Sequence, residues 1–178
     1  MKGQLAALNR SNRENKMQPK LTNQQVAYAG ENFVAAEIHR RGGYAVTFSG
    51  NMKGIDLIAS DVTHARKIDI QVKTKTGGTW QTTTLHGRRH TKGKAKPLED
   101  GRFWIFVDLH KDGSGPDYYI VPAWWIENDI FTEHKSYLAK NGGHRAKNND
   151  STHHAIPLSR VQQWKDRWDI LGIFPAEK

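Results

Sequence analysis

Residues 67–75 read Lys67-Ile68-Asp69-Ile70-Gln71-Val72-Lys73-Thr74-Lys75, and this stretch decides the fold. Side chains alternate across a β-strand, so Ile68, Ile70 and Val72 share one face while Asp69, Gln71, Lys73 and Lys75 share the other. One face is made for a core. The other carries four polar groups in a row, more than a strand needs for solubility alone. The neighbouring segments supply partners for both faces. Upstream, Ile55–Ala59 is a short apolar strand opened by Gly54-Ile55-Asp56, and Tyr44–Phe48 alternates as another, with a turn at Ser49-Gly50-Asn51 between them. Before these, residues 22–41 carry Val26, Phe33, Val34 and Ile38 at roughly helical spacing, with Thr22 as a cap and Gly42-Gly43 as a stop.

Downstream, the Thr-rich run Thr79–Leu85 reads as a strand and residues 86–97 as a Gly- and Lys-rich loop. Phe103–Leu109 and Tyr118–Val121 read as apolar strands joined by a Gly/Asp/Pro turn. Pro122 suits the first position of a helix carrying Trp124, Trp125 and Ile126. Residues 139–155 read as a polar loop. Ser159 is placed to cap a last helix in which Trp164, Trp168 and Leu171 form one apolar stripe. The expectation is an α/β fold: a mixed central β-sheet of about five strands flanked by helices. Residues 1–20 read as a flexible basic arm, residues 21–178 as a single domain, and the part from about 134 as a C-terminal helical extension.

Composition narrows the chemistry. The chain has 178 residues, with 27 Lys and Arg against 18 Asp and Glu, a formal charge of +9, and no Cys. Disulfides, thiolate zinc sites, iron–sulfur clusters and a Cys nucleophile are therefore excluded. No run approaches the roughly 18 apolar residues of a membrane-spanning helix. The first twenty residues lack the apolar centre of a secretory signal, so a cytoplasmic location away from membranes is expected. The charge is also segregated: residues 1–97 carry +11, residues 98–133 carry −6 and residues 134–178 carry +4. Such separation suits a basic face for a polyanion such as nucleic acid.

If the strands at 55–59 and 67–76 are neighbours, Asp56 lies close to Gln71 and Lys73, and the helix bearing Glu31 must cover the same sheet. This set suits metal-assisted phosphodiester hydrolysis. A hard cation, Mg²⁺ or Mn²⁺, needs oxygen ligands and keeps several waters beside one or two carboxylates. Asp56 and Glu31 offer carboxylates, Gln71 an amide oxygen, and Val72 its carbonyl. Lys73 then stands where a cation can hold the attacking water and offset transition-state charge. Glu37 is the rival helix acid, with a surface ion pair as its plainer reading. Arg88, Arg89, Lys92, Lys94 and Lys96 place five positive charges in the 86–97 loop with no acid among them, a pattern for gripping phosphates. Lys75 extends that basic surface along the strand. His86, His90, His153 and His154 read as structural or surface residues. Trp164 and Trp168 read as core, while Trp80 or Trp125 is the candidate exposed ring.

The segments Gly30-Glu31, Gly54-Ile55-Asp56 and Ile70-Gln71-Val72-Lys73, in the order helix–strand–strand–strand, resemble the core of the PD-(D/E)XK, or restriction-endonuclease-like, nuclease superfamily. The variant Gln-x-Lys motif is similar to that of its Mrr-like branch, and the helix acid to that of Holliday-junction resolvases. The resemblance covers roughly residues 22–76. It implies a divalent-metal-dependent DNA endonuclease, working as a homodimer, with Glu31, Asp56, Gln71 and Lys73 at its active site. One departure stands out: the superfamily's usual second acid is Glu, and here it is Gln71. Asp69, on the same face, is placed to restore the missing charge. Two alternatives follow: a catalytically inactive nucleic-acid-binding module of the same fold, and an RNase of the same fold.

Overall fold

A computed structural model describes residues 21–48, 52, 54–90 and 100–175. The arm expected over residues 1–20, the turn at Ser49-Gly50-Asn51, and Lys92, Lys94 and Lys96 lie outside the described residues. The chain opens on helix α1 (Asn23–Arg40). Thr22 Oγ1 accepts from the Gln25 N–H at 3.2 Å, and the Gln25 side chain accepts in return from the Thr22 N–H at 2.8 Å. This reciprocal cap satisfies two of the orphan donors at the helix start. His39 and Arg40 complement the negative end of the helix dipole. Gly30, Val34 and Ile38, four apart, form the buried face.

Strands β1 (Tyr44–Thr47), β2 (Leu57–Ser60), β3 (Lys67–Lys75), β5 (Arg102–Asp108) and β6 (Asp117–Pro122) make a five-stranded sheet in the order β1-β2-β3-β5-β6. All pairs are antiparallel except β3 with β5, which run parallel from Asp69 beside Arg102 to Lys75 beside Asp108. The sheet is therefore mixed, as expected. Helix α2 (Ala123–Lys140) begins directly after Pro122.

Two cores sit on opposite faces of the sheet. Ile68, Ile70 and Val72 of β3 pack with Val34 and Ile38 of α1, Leu57, Ile105, Val107 and the C-terminal residues Trp168, Leu171 and Ile173. The other face gathers Trp104, Phe106, Tyr119 and Val121 against Ile126 and Ile130 of α2, with Trp80, Ile156 and Val161. β5 feeds both clusters, because a central strand covered on each side must be apolar throughout; this is why it reads Phe103-Trp104-Ile105-Phe106-Val107 without alternation. Each such fully buried side chain contributes about 1.5–3 kcal/mol of transfer free energy.

Four expectations need correction. The strand read at Thr79–Leu85 is β4 (Trp80–Thr83), and it does not join the main sheet. It pairs antiparallel with β7 (His153–Ile156), a strand inside the segment read as loop. The first two residues of that same segment complete α2, which runs to Lys140. The helix read from Ser159 to Leu171 is only α3 (Leu158–Val161) followed by two short 3₁₀ turns. Asp166 adopts φ +53° and Lys165 bridges Tyr119, so the chain bends and sends Trp164 and Trp168 into different cores. Finally, Trp80 is not exposed. It is 1% accessible, and its Nε1–H donates to the Val107 carbonyl at 2.9 Å. Among the described residues, no helix is long and apolar enough to cross a membrane.

Candidate active site

Asp56 stands one residue before β2, where β2 and β3 separate. Leu57 pairs with Ile70, the last rung of that ladder. The Asp56 N–H donates to the Ile70 carbonyl at 2.9 Å, and its carbonyl accepts from the Phe48 N–H at 3.2 Å. Beyond this rung the Val72 N–H has no β2 carbonyl to meet. The Asp56 carboxylate takes that place, with Oδ2 accepting at 2.6 Å. A charged acceptor makes this bond stronger than a neutral ladder bond and fixes the carboxylate's direction. Gly54, at φ +82°, supplies the left-handed turn that brings the chain there, a conformation costly for residues with a Cβ.

Glu31 comes to the site because α1 lies unusually close to β3. A Cβ on Gly30 would stand 1.9 Å from Thr74 Oγ1 and 2.9 Å from Thr74 Cβ. The absence of that Cβ lets the helix settle onto the strand, and Glu31 is the next residue. Its carboxyl is held above the usual range by partial burial and by the Asp56 charge, against the opposing pull of Lys73. Lys73 is shifted the other way, below the ordinary lysine value, by burial; Asp56 and Glu31 partly offset this. Its Nζ sits 5.7 Å from the centre of the Trp104 ring. Glu31, Asp56 and Lys73 thus share one electrostatic environment. Glu37 does not: it binds Arg40 at 2.6 Å and Arg41 at 2.8 Å, and these partners lower its pKa.

Gln71 and Asp69 line a cleft of about 340 Å³ together with Gly54, Ile55, His86 and Arg88. Across the parallel ladder Gln71 lies beside Trp104 and Asp69 beside Arg102. His86 packs edge-on against Trp104 with ring centres 5.1 Å apart, and burial followed by the Lys73 charge lowers its pKa.

Among the described residues, no group of three or more His, Asp or Glu is arranged to hold a metal ion. A hard cation with a hydration shell asks for less: one or two carboxylates and neutral oxygens. The donors here fit that requirement. Burial first and the Asp56 charge second raise the Glu31 pKa, and a cation between the two carboxylates would offset both. Val72 offers its N–H to Asp56, so its part in orienting that carboxylate is direct.

The basic residues divide. Arg88 and Arg89 are exposed. Lys75 is not a surface cation, contrary to the expectation from strand alternation. It is 9% accessible, bound to Asp108 at 2.6 Å, and lies 4.3 Å from the Trp80 ring centre. The parity of the strand holds, but at Lys75 its polar face is covered by Trp80. Five acids of the stretch 98–133 likewise sit in ion pairs: Asp100 and Glu127 with Arg102, Asp108 with Lys75, Asp117 with Lys165, and Asp129 with Arg160. Two residues of this region, Glu127 and Arg102, escaped sequence reasoning, and His86, read as structural or surface, lines the cleft. For Glu127 a signal existed, since it is an acid inside the apolar stripe Ala123, Ile126, Ile130. Its partners are 25 and 37 residues away, so nothing local identifies them.

Comparison with known proteins adds little to this geometry. No family model matches the chain, and no curated protein matches it. Among solved structures, a bacterial homing endonuclease is similar at 13% sequence identity and a TM-score of 0.45, over 85% of this chain and 92% of that one.

Proposed function

We propose that this chain is a divalent-metal-dependent endonuclease that hydrolyses DNA phosphodiester bonds. The observation that carries the proposal is the Asp56 carboxylate, pinned at 2.6 Å by the Val72 N–H, in the same electrostatic environment as Glu31 and Lys73. In this reading Asp56 and Glu31 hold Mg²⁺ or Mn²⁺, with the Gln71 amide and the Val72 carbonyl as further donors. When bound, such a cation polarises the scissile phosphate and lowers the pKa of a coordinated water. Lys73, partly stripped of water, holds the attacking water through its ammonium group and offsets charge on the phosphorane. The Trp104 face and the β-strand restrict where that ammonium can go. Arg88 and Arg89 grip the flanking phosphates without reading sequence. Five of the region's acids sit in internal pairs with other cations, which leaves Arg88 and Arg89 free of them for a polyanion. The resemblance to the nuclease superfamily further suggests that two copies act together, which sedimentation on DNA checks.

The test is cleavage of duplex, branched, single-stranded and modified DNA, and of RNA, in Mg²⁺ and Mn²⁺. Lys73→Ala and Asp56→Asn should each lower the rate by at least about a hundredfold, the scale of losing one transition-state contact. Equal rates for wild type and Lys73→Ala on every substrate would refute the assignment.

Gln71 favours a second reading, a nucleic-acid-binding module without catalysis, because a neutral amide holds a cation less tightly than a carboxylate. Calorimetric titration with Mn²⁺ separates the two. Heat that disappears in Asp56→Ala supports the nuclease, whereas salt-dependent DNA binding without metal binding supports the silent module.

A further inference from the structure

A buried acid on α2 governs the segment that carries Arg88. Glu127 is 5% accessible and lies within an apolar stripe, where a lone carboxylate is strongly disfavoured. Its two oxygens are both satisfied: Oε2 lies 2.8 Å from His90 Nε2, and Oε1 accepts from Arg102 Nη1 at 3.1 Å. Its backbone carbonyl accepts from the Arg88 N–H at 3.0 Å. The next residue continues the grip, with Asn128 Oδ1 accepting from the His90 N–H at 3.1 Å. One helical turn therefore makes four hydrogen bonds to residues 88, 90 and 102, all from Glu127 and its neighbour.

The preceding turn is fixed as tightly. Thr83 Oγ1 accepts from the Leu85 N–H at 3.2 Å, the Thr84 N–H donates to the Thr152 carbonyl at 2.7 Å, and the Gly87 N–H donates to the Thr84 carbonyl at 2.9 Å. Gly87 runs so close to α2 that a Cβ there would stand 3.0 Å from the Phe131 nitrogen and 3.1 Å from its Cα. Surface loops are seldom anchored at so many points. The outcome of this anchoring is specific: His86 and Arg88 line the cleft that Gln71 lines, on the face that bears Lys73. Among the described residues, the Arg88 side chain has no carboxylate partner of its own.

We propose that Glu127 is a positioning residue for phosphate binding: acting through His90, it holds the Arg88 guanidinium in the cleft, where it grips the DNA phosphate beside the one being cut. The inference rests on the nuclease reading only for which phosphate Arg88 meets. The anchoring itself concerns DNA binding and is measured without cleavage.

The test is fluorescence anisotropy of the full chain with a labelled duplex, in EDTA, across a series of KCl concentrations. Arg88→Ala should lower the slope of log K against log[salt] by about one contact. His90→Ala and Glu127→Gln should lower it by the same amount, and neither should lower it further when combined with Arg88→Ala. His90→Ala keeps the Arg102–Glu127 pair, so it carries the test if Glu127→Gln does not fold. A merely structural role predicts lost thermal stability with an unchanged slope, and that result overturns the proposal. Equal losses with and without Arg88 also overturn it, as does a wild type that does not bind DNA. If the slopes behave as expected while no substrate is ever cut, the nuclease reading fails and the positioning role stands.

Discussion

Gly30→Ala is a one-methyl test of how α1 delivers Glu31 to the sheet. The added Cβ would meet Thr74 Oγ1 at 1.9 Å, Cβ at 2.9 Å and Cγ2 at 2.9 Å. Rotating Thr74 about its own Cα–Cβ bond can move the hydroxyl and the methyl, but not its Cβ. The helix and strand must therefore separate by about 0.6–1 Å to reach the ordinary 3.5–4.0 Å carbon contact. Overpacking of this kind costs about 1–3 kcal/mol. Replacing a helical Gly by Ala returns roughly 1 kcal/mol of propensity. The net loss is thus about 0–2 kcal/mol, worth a few degrees in Tm at about 2–4 °C per kcal/mol for a domain of this size. Activity should suffer far more, because misplacing a catalytic group by about 1 Å can cost about a hundredfold. Thermal unfolding followed by circular dichroism and a cleavage assay read the two quantities separately. Adding Thr74→Ala removes two of the three clashing atoms and should restore part of both. If Gly30→Ala matches wild type in stability and cleavage, the close approach of α1 does not position Glu31, and the reasoning fails.

Three further outcomes follow from the charges. Lys73 has a depressed pKa in the folded state, so stability falls as pH drops from about 10.4 through that folded value. Lys73→Met should therefore be more stable than wild type at neutral pH by about 0.5–2 kcal/mol, with the difference vanishing in alkaline urea titrations. Glu31 has a raised pKa, so its contribution is favourable below the unfolded value and is lost as pH rises through the folded one. Glu31→Gln should match wild type in stability below about pH 4 and exceed it at pH 7, which pH-dependent melting reads directly. Lys75→Met leaves the buried Asp108 carboxylate without its cation and should cost about 3–5 kcal/mol in chemical denaturation. The same variant should leave the salt dependence of DNA binding unchanged, since Lys75 reaches no phosphate.

What the sequence disclosed, it disclosed through local periodicity. The alternation of 67–75, the cap at Thr22 and the Val34/Ile38 spacing give β3 and α1 with little ambiguity, and chain order then makes β2 a neighbour of β3. The approach of Asp56, Lys73 and Glu31 follows from that neighbourhood. The second sheet was hidden because Thr83 pairs with His153, and a separation of seventy residues leaves no short-range mark. Trp164 and Trp168 misled for the opposite reason: their spacing is helical, but a left-handed residue at Asp166 splits them. Lys75 shows the limit of alternation, which assigns a face but not what covers it. The network around Glu127 joins residues whose only common property is the three-dimensional path of the chain.

The one parallel ladder in the sheet, β3 against β5, has a consequence for how this protein opens. On each side of it the strands are joined by short antiparallel connections, β1-β2-β3 on one flank and β5-β6 on the other. These flanks are local in sequence, whereas the ladder between them unites distant pairs such as Asp69 and Arg102. Non-local parallel pairing closes late in folding. The two flanks meet along this ladder, a shared apolar core crosses it, and the cleft residues Gln71 and Trp104 lie on it. Its amides should therefore exchange only with global opening, as those of core strands do. A cation or a DNA strand bound at the cleft would slow their exchange by stabilising the whole fold, so occupancy of the site would be read as a global gain in protection.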